Sequence, residues 1–198
     1  MRTIGITGGV GSGKTEILTY IKNRYHCRVI LADQVAHQVC QSGQSCYQKL
    51  VELLGKEILN QEGEIHRGRM AEKIFQDAVL LGQVNQCIHP AVKEWITGEI
   101  HREREADKLD FLFVEAALLI EAGYTELLDE LWYIYAKEAV RRARLKAARG
   151  YSDEKISHIL DKQLSEEEYR AACKVVIDNS DSLQQAYEQI DRKLEEYL

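Results

Sequence analysis

Residues 3–18 read TIGITGGVGSGKTEIL, with five glycines between positions 5 and 13 and the pair Lys14-Thr15 directly after the last of them. Glycine inside a structured segment costs roughly 0.5–1 kcal/mol relative to alanine through lost chain entropy, so this stretch asks something of its backbone. Gly8 to Thr15 fits G-x-x-x-x-G-K-[ST], the phosphate-binding loop that joins a strand to a helix. The apolar run TIGIT before it reads as a buried strand in which Gly5 serves close packing, and Ile17, Leu18 and Ile21 after it give a helical stripe. Side chains would keep the loop amides away from phosphate oxygens, and a helix starting near Gly13 adds unpaired N–H donors and a partial positive charge. On this pattern Gly9, Val10, Gly11, Ser12, Gly13, Lys14 and Thr15 bind a nucleoside triphosphate. Lys14 reaches the β- and γ-phosphates, and the Thr15 hydroxyl ligates Mg²⁺.

Four further apolar runs resemble the first strand: Arg28–Ala32 (RVILA), Leu109–Glu115 (LDFLFVE), Leu131–Ala136 (LWYIYA) and Lys174–Asp178 (KVVID). Most are continuous and rich in β-branched or aromatic residues, as in strands covered on both faces. Their separations admit helical crossovers, which predicts an α/β fold of the P-loop NTPase type: a five-stranded parallel sheet flanked by helices. The closing segment LQQAYEQIDRKLEEYL places Leu183, Tyr187, Ile190 and Leu194 on one stripe of an amphipathic helix. Residues 37 to about 107 contain no convincing strand and carry helical clusters such as Leu50, Leu53, Leu54 and Ile58, which predicts a helical subdomain inserted between the second and third strands.

The chain has 198 residues and a single proline, Pro90, so the expectation is one domain with an insertion and no linker. A net charge of −6 argues against nucleic acid as the main partner. No apolar run approaches the ~20 residues that span a bilayer, and MRTIGITGG lacks the features of a secretion signal. Five cysteines without a CxxC pair disfavour a disulfide framework or a zinc site and suit a reducing cytoplasm. The expected state is a monomer or weak homo-oligomer.

A GTPase would carry D-x-x-G and N-K-x-D, and neither string occurs. A kinase instead needs a base or orienting group near the γ-phosphate. Asp33 follows the strand RVILA, and a right-handed crossover puts the ends of both strands on the ligand-binding edge of the sheet. As a helix N-cap opening Gln34–Gln41 it would be equally well explained. Glu115, ending the third strand, is open to two readings, holding Mg²⁺ through water or a structural carboxylate. The segment AVRRARLKAARGYSDEK packs Arg141, Arg142, Arg144 and Arg149 into nine positions. Such a run is either a solvated helix face or a set of closing arginines that stabilise a phosphoryl group. Arg142 and Arg149, seven apart, share one face of an unbroken helix.

Taken together and in order, TGGVGSGKT, LADQVAH, GEIHR, IHP, ALLIE, RLKAARGYS and VVIDN make residues 4 to about 182 resemble the dephospho-CoA kinase family. The resemblance implies a phosphotransferase that moves the γ-phosphate of ATP to the ribose 3′-hydroxyl of dephospho-CoA, the last step of coenzyme A biosynthesis, with Mg²⁺ accompanying ATP. By position it implies Lys14 as a catalytic residue on the phosphates and Asp33 as general base on the 3′-hydroxyl. It places Arg67, His89 and Pro90 in the subdomain that receives the acceptor, and Leu118, Leu119 and Glu121 on the acceptor side of the core. His89 taken alone would be a packed or capping histidine. Arg142 and Arg149 would belong to a mobile lid over ATP, Gln163 would end the following helix, and Asn179 would lie in an adenine-contacting loop.

The implied division is a nucleotide core of 1–36, 108–138 and 168–198, an acceptor subdomain of 37–107 and a lid of 139–167. The chain departs from the family pattern at Glu16, Leu31, Ala117, His37 and Ala148. Two other readings use the same loop: another small-molecule kinase, such as a nucleoside monophosphate kinase, and a non-catalytic ATP-binding regulatory module.

Overall fold

The computed structural model describes residues 1–75 and 77–198. Strands form on the five apolar runs: β1 (Arg2–Thr7), β2 (Cys27–Leu31), β3 (Phe111–Glu115), β4 (Glu130–Tyr135) and β5 (Val175–Asp178). They make one parallel sheet in the order β2-β3-β1-β4-β5, the architecture the alternation of strands and helices predicts. The register sets Ile4 beside Phe113 on one side and Glu130 on the other, and Tyr133 beside Val176. Ile4, Ile6, Leu112, Phe113, Val114, Trp132 and Ile134 are fully buried, as a sheet sandwiched by its crossover helices requires. Gly5 lets this core close: a Cβ there would stand 2.4 Å from Leu131 Cδ2 and 2.8 Å from Leu128 Cδ1.

The helices are α1 (Lys14–Arg24), α2 (Ala32–Val39), α3 (Tyr47–Leu54), α4 (Arg67–Phe75), α5 (Ala78–Ala106), α6 (Glu138–Arg149), α7 (Asp153–Leu160), α8 (Glu166–Ala172) and α9 (Leu183–Glu195). Element ends differ from the sequence reading by one or two residues. Ala32 opens α2 instead of closing β2, because the helical turn claims it. Leu109 and Asp110 precede β3, although the Asp110 amide still donates to His26 O at 3.1 Å. Lys174 lies just before β5 and donates to Leu131 O at 3.0 Å. On α9 the buried stripe is Ala186, Ile190 and Leu194, whereas Leu183 is 39% exposed in the first turn. Tyr187 stacks on Tyr20 with ring centroids 3.8 Å apart. Asp191 then accepts the hydroxyls of Tyr20 at 2.8 Å and Tyr25 at 2.6 Å, which fastens α9 to α1.

The chain divides into two compact units, Met1–Val29 with Glu103–Leu198, and Ile30–Arg102. The first carries most of the sheet. The second is helical, with Val35, Val39, Leu50, Leu54, Ile58, Val84, Val92 and Ile96 buried. Its strand-like pairing among the described residues is an isolated antiparallel bridge between Leu59 and Ile65. The cysteines are unpaired, and burial pushes the thiols of Cys46 and Cys173 up to about 12. Among the described residues no helix is long and apolar enough to cross a membrane.

One buried carboxylate ties the start of β4 to the end of the chain. Burial alone would raise the Glu130 carboxyl. The Trp132 indole at 2.9 Å, the Tyr197 hydroxyl at 2.9 Å and the Lys174 ammonium at 3.3 Å outweigh that and hold it below the usual carboxylate range. A carboxylate lowered in this way stabilises the fold above its unfolded value of about 4.3, and the contribution is lost as pH falls through the folded value. Glu130→Gln is therefore expected to cost ~1–3 kcal/mol at neutral pH. Its urea-measured stability should also fall less than that of the wild type on acidification from about pH 5 to 3.

Candidate active site

β1 ends at Thr7 and α1 begins at Lys14, so the glycines occupy the connection between a central strand and its helix. Gly13 is the N-cap of α1 at φ 91°, the left-handed region that L side chains rarely adopt. A Cβ there would also stand 2.3 Å from Asn179 Nδ2. Having no side chain to cap the helix, Gly13 leaves the first-turn amides and the positive end of the helix dipole turned to the loop. The Lys14 ammonium reaches back across the loop, donating to Gly8 O at 2.6 Å, with Glu115 Oε1 at 3.8 Å. Three buried side-chain atoms at this turn, Thr7 Oγ1, Ser12 Oγ and Asn179 Oδ1, have no hydrogen-bond partner among the described residues. Each such atom costs ~1–3 kcal/mol in a sealed interior. The loop thus combines a cationic group, the uncapped N-terminus of α1 and unsatisfied polar atoms, a surface suited to a phosphate chain.

Helix α6 lies along this loop. Leu145 is its buried residue, and the positions that share its stripe, Arg141 and Arg144, turn inward with it. Arg141 Nε donates to Val10 O at 2.9 Å, and the same guanidinium donates to Gln163 Oε1. Arg144 donates to Ser12 O at 3.2 Å and to Asn179 O at 2.9 Å. Arg142 and Arg149 lie on the other side of the helix. Those two do share a face, but Arg142 bonds Glu138 at 2.7 Å and Ser157 Oγ at 3.1 Å. Arg149 is exposed, 5.8 Å from the Tyr151 ring centroid. The single buried position of the helix, Leu145, goes with this orientation.

Arg142 and Lys146 are matched by Glu138 and Asp153. Arg141, Arg144 and the exposed Arg149 have no carboxylate partner among the described residues.

Asn179 is 1% exposed and gives its Nδ2 to Ser12 O at 2.8 Å, so its side chain braces the loop and is not presented to a base. Gln163 lies three residues past the end of α7, in the turn before α8, and so does not end a helix. After β3, Leu118 is 48% exposed and Glu121 is at the surface, but Leu119 is fully buried under Gly5. Leu119 is therefore a core residue and does not line an acceptor surface, because apolar contact beneath β1 claims it.

In the helical unit, α2 starts one residue earlier than an N-cap role for Asp33 requires. Leu31 takes the cap position, and Asp33 stands exposed in the first turn with no hydrogen bond or ion pair among the described residues. Its charge there favours the helix dipole. Arg67 opens α4 and lines a cavity of about 580 Å³ with Ala36, His37, Cys40, Glu64 and Met70. Burial pushes the Cys40 thiol up to about 11, with the neighbouring Cys87 acting in the same direction and the charge of Arg67 against it. His89 and Pro90 are exposed on α5 and do not line this cavity. Pro90 sits inside the helix, where it cannot supply the usual amide to the Gln86 carbonyl.

No cluster of three or more His, Cys, Asp or Glu among the described residues could hold a metal ion. The Thr15 residue at the start of α1 is exposed, so a divalent cation fits here as a companion of bound phosphate, with the nucleotide supplying most of its oxygen ligands.

A glycine loop between a central parallel strand and its helix, a lysine across its mouth and two uncompensated arginines over it define a P-loop kinase of the small-molecule class. The solved shikimate kinase from Acinetobacter baumannii shares the fold at a TM-score of 0.56 and 13% identity, over 100% of this chain and 96% of that one. TT1252 from Thermus thermophilus is nearer, at a TM-score of 0.79 and 26% identity over 98% of this chain and 97% of that one. A family model described as dephospho-CoA kinase matches residues 2–185, and the chain belongs to that family. Among curated relatives, the dephospho-CoA kinase of Carboxydothermus hydrogenoformans is 35% identical over 94% of this chain and 90% of its own length. That of Streptococcus mutans is 33% identical over 98% of this chain and 96% of its own length.

Because Gly13 combines a left-handed backbone with contact against Asn179, Gly13→Ala should lower ATP affinity by about tenfold or more, from ~1–2 kcal/mol of backbone strain and a displaced brace. Calorimetric titration checks this, with circular dichroism confirming that the variant folds.

Proposed function

We infer that this protein transfers the γ-phosphoryl group of ATP to the 3′-hydroxyl of dephospho-CoA, giving CoA and ADP. The observation that carries this reading is the family match over residues 2–185, joined to a loop whose carbonyls gather a lysine and two arginines at one turn. In the proposed reaction, Gly9, Val10, Gly11, Ser12, Gly13, Lys14 and Thr15 hold the triphosphate. Lys14 offsets charge at its β- and γ-phosphates, which lowers the cost of building negative charge on the oxygen that leaves. Mg²⁺ fits beside the Thr15 hydroxyl, and when bound it supplies further charge neutralisation on the phosphate oxygens.

Asp33 is the proposed general base. Its carboxylate is exposed and without a partner among the described residues, as a group that must meet a substrate proton requires. It takes the proton of the 3′-hydroxyl as that oxygen bonds to phosphorus and the bond from phosphorus to ADP breaks, so no covalent enzyme intermediate is needed. Arg67, beside the cavity of the helical unit, with His89 and Pro90 on α5, is assigned to the acceptor, as are the exposed Leu118 and Glu121. An anionic acceptor carrying a diphosphate bridge suits an exposed arginine. Five unpaired thiols suit a reducing, cytoplasmic setting.

The reading is tested by ADP release with ATP and, in turn, dephospho-CoA, nucleoside monophosphates and no acceptor. Turnover with dephospho-CoA is expected. Turnover with monophosphates alone identifies a different kinase, and ATP binding without turnover on any acceptor identifies a regulatory module. Asp33→Asn should lower kcat by ~10²–10⁴-fold while leaving ATP affinity nearly unchanged. Near-normal turnover would remove Asp33 from the base role.

A further inference from the structure

We propose that Cys46 and Cys87 are a modification site: a hydroperoxide oxidises this pair of thiols to a disulfide, and the disulfide weakens acceptor binding by the helical unit. The effect on the acceptor rests on the assignment of Arg67 and its cavity to dephospho-CoA made above, whereas the disulfide itself does not.

Three of the five cysteines lie in the helical unit, and its fold gathers them. Cys40 closes α2 and Cys46 is the N-cap of α3. The loop between them is pinned by the Cys46 amide, which donates to Val39 O at 3.0 Å. Cys87 meets this loop from α5. The Cys46 thiol donates to the Cys87 carbonyl at 3.3 Å, and the Cys87 side chain is a further hydrogen-bond neighbour of the same sulfur. Cys40 interacts with Cys87 through charge alone, so Cys46 is the sulfur in bonding reach. Cys27 and Cys173 belong to the other unit, where the Cys27 thiol faces Ile21 O at 3.8 Å and Cys173 is buried at the end of α8. A cysteine used only as a small hydrophobe needs no second sulfur beside it.

Exposure divides the work between the two thiols. Cys46 is 1% exposed, whereas Cys87 is half-buried and open to a small oxidant. Burial pushes the Cys46 thiol up to about 12, with the Cys87 side chain acting in the same direction, so Cys46 is a poor target for peroxide on its own. In the first step the Cys87 thiolate sulfur bonds to one peroxide oxygen as the O–O bond breaks, leaving a sulfenic acid and an alkoxide or hydroxide. The Cys46 sulfur then bonds to the Cys87 sulfur. The sulfenic hydroxyl leaves with the Cys46 proton as water. Two thiols are oxidised to one disulfide, and one hydroperoxide is reduced.

A disulfide holds its sulfurs about 2.05 Å apart, closer than two thiols in contact, so bond formation draws α5 and the start of α3 together. The α5 ladder is weakened at this turn, because Pro90 withholds an amide from the carbonyl of Gln86, the residue before Cys87. The cavity beside Arg67 has walls on both sides of the bond: Ile88 follows Cys87, and Cys40, Gln41 and Ser42 belong to the loop that Cys46 ends. Oxidation therefore displaces two walls of the acceptor cavity.

The test treats the full-length reduced protein with hydrogen peroxide, alkylates the remaining thiols and maps the peptides without reductant. One bond between Cys46 and Cys87 within a single chain is expected, with the other three cysteines alkylated. The KM for dephospho-CoA should rise about tenfold, with the KM for ATP within about twofold of the reduced value, and dithiothreitol should reverse the change. Cys87→Ser should keep the turnover of the reduced enzyme and lose the response to peroxide.

Alkylated Cys46 and Cys87 after peroxide overturn the proposal, as does a disulfide that uses another cysteine or joins two chains. These readouts come from the wild type and stand if Cys87→Ser fails to fold. A Cys46–Cys87 disulfide with an unchanged acceptor KM overturns the switch. If the reduced wild type does not turn over dephospho-CoA, the proposed function has failed, and the peptide map still decides the disulfide.

Discussion

The backbone turns between Thr7 and Lys14 through positive φ at Gly8, Gly11 and Gly13, conformations that other residues rarely adopt, and the neighbouring residues answer the demands this turn creates. A loop whose amides point inward must aim some carbonyls outward, and those carbonyls need donors. Arg141 takes the carbonyl of Val10, while Arg144 and Asn179 both take that of Ser12. The loop is thus held from outside by side chains whose own positions come from α6 and the end of β5. What remains at its inner side is positive: the first turn of α1 and Lys14. An anion can be received here with little rearrangement, which is how electrostatic preorganisation lowers a barrier.

The sheet supplies the rigidity this requires. β1 is paired on both sides and stripped of side-chain bulk at Gly5, so the turn emerges from the most constrained strand of the molecule. Glu130 and Asp191, each gathering several donors, fasten β4 and α9 to their neighbours at positions away from the loop. Rigid strands with chemistry placed on the connections beyond their ends are the usual division of work in open parallel sheets.

Much of this was legible in the residues. Continuous apolar runs located all five strands, and the glycine pattern located the connection between β1 and α1. The ends of elements were less legible, because a helix such as α2 and the strand before it compete for the same residue, here Ala32. Side-chain orientation was the harder problem. Helical spacing says which residues share a face, but not which face is inward. Arg142 and Arg149 do share a face, whereas Leu145, the buried residue of α6, turns Arg141 and Arg144 to the loop. Leu119 and Asn179 show a related limit. A residue within a functional motif can be spent on packing or on bracing the loop, and only its surroundings reveal which.

The account stands most directly on where the phosphate goes. Phosphorus NMR of the purified protein with ATP and dephospho-CoA should show one new phosphomonoester, coupled to the ribose 3′ proton, for each ATP converted to ADP. Inorganic phosphate as the main product, or a monoester at any other position of the acceptor, would contradict it.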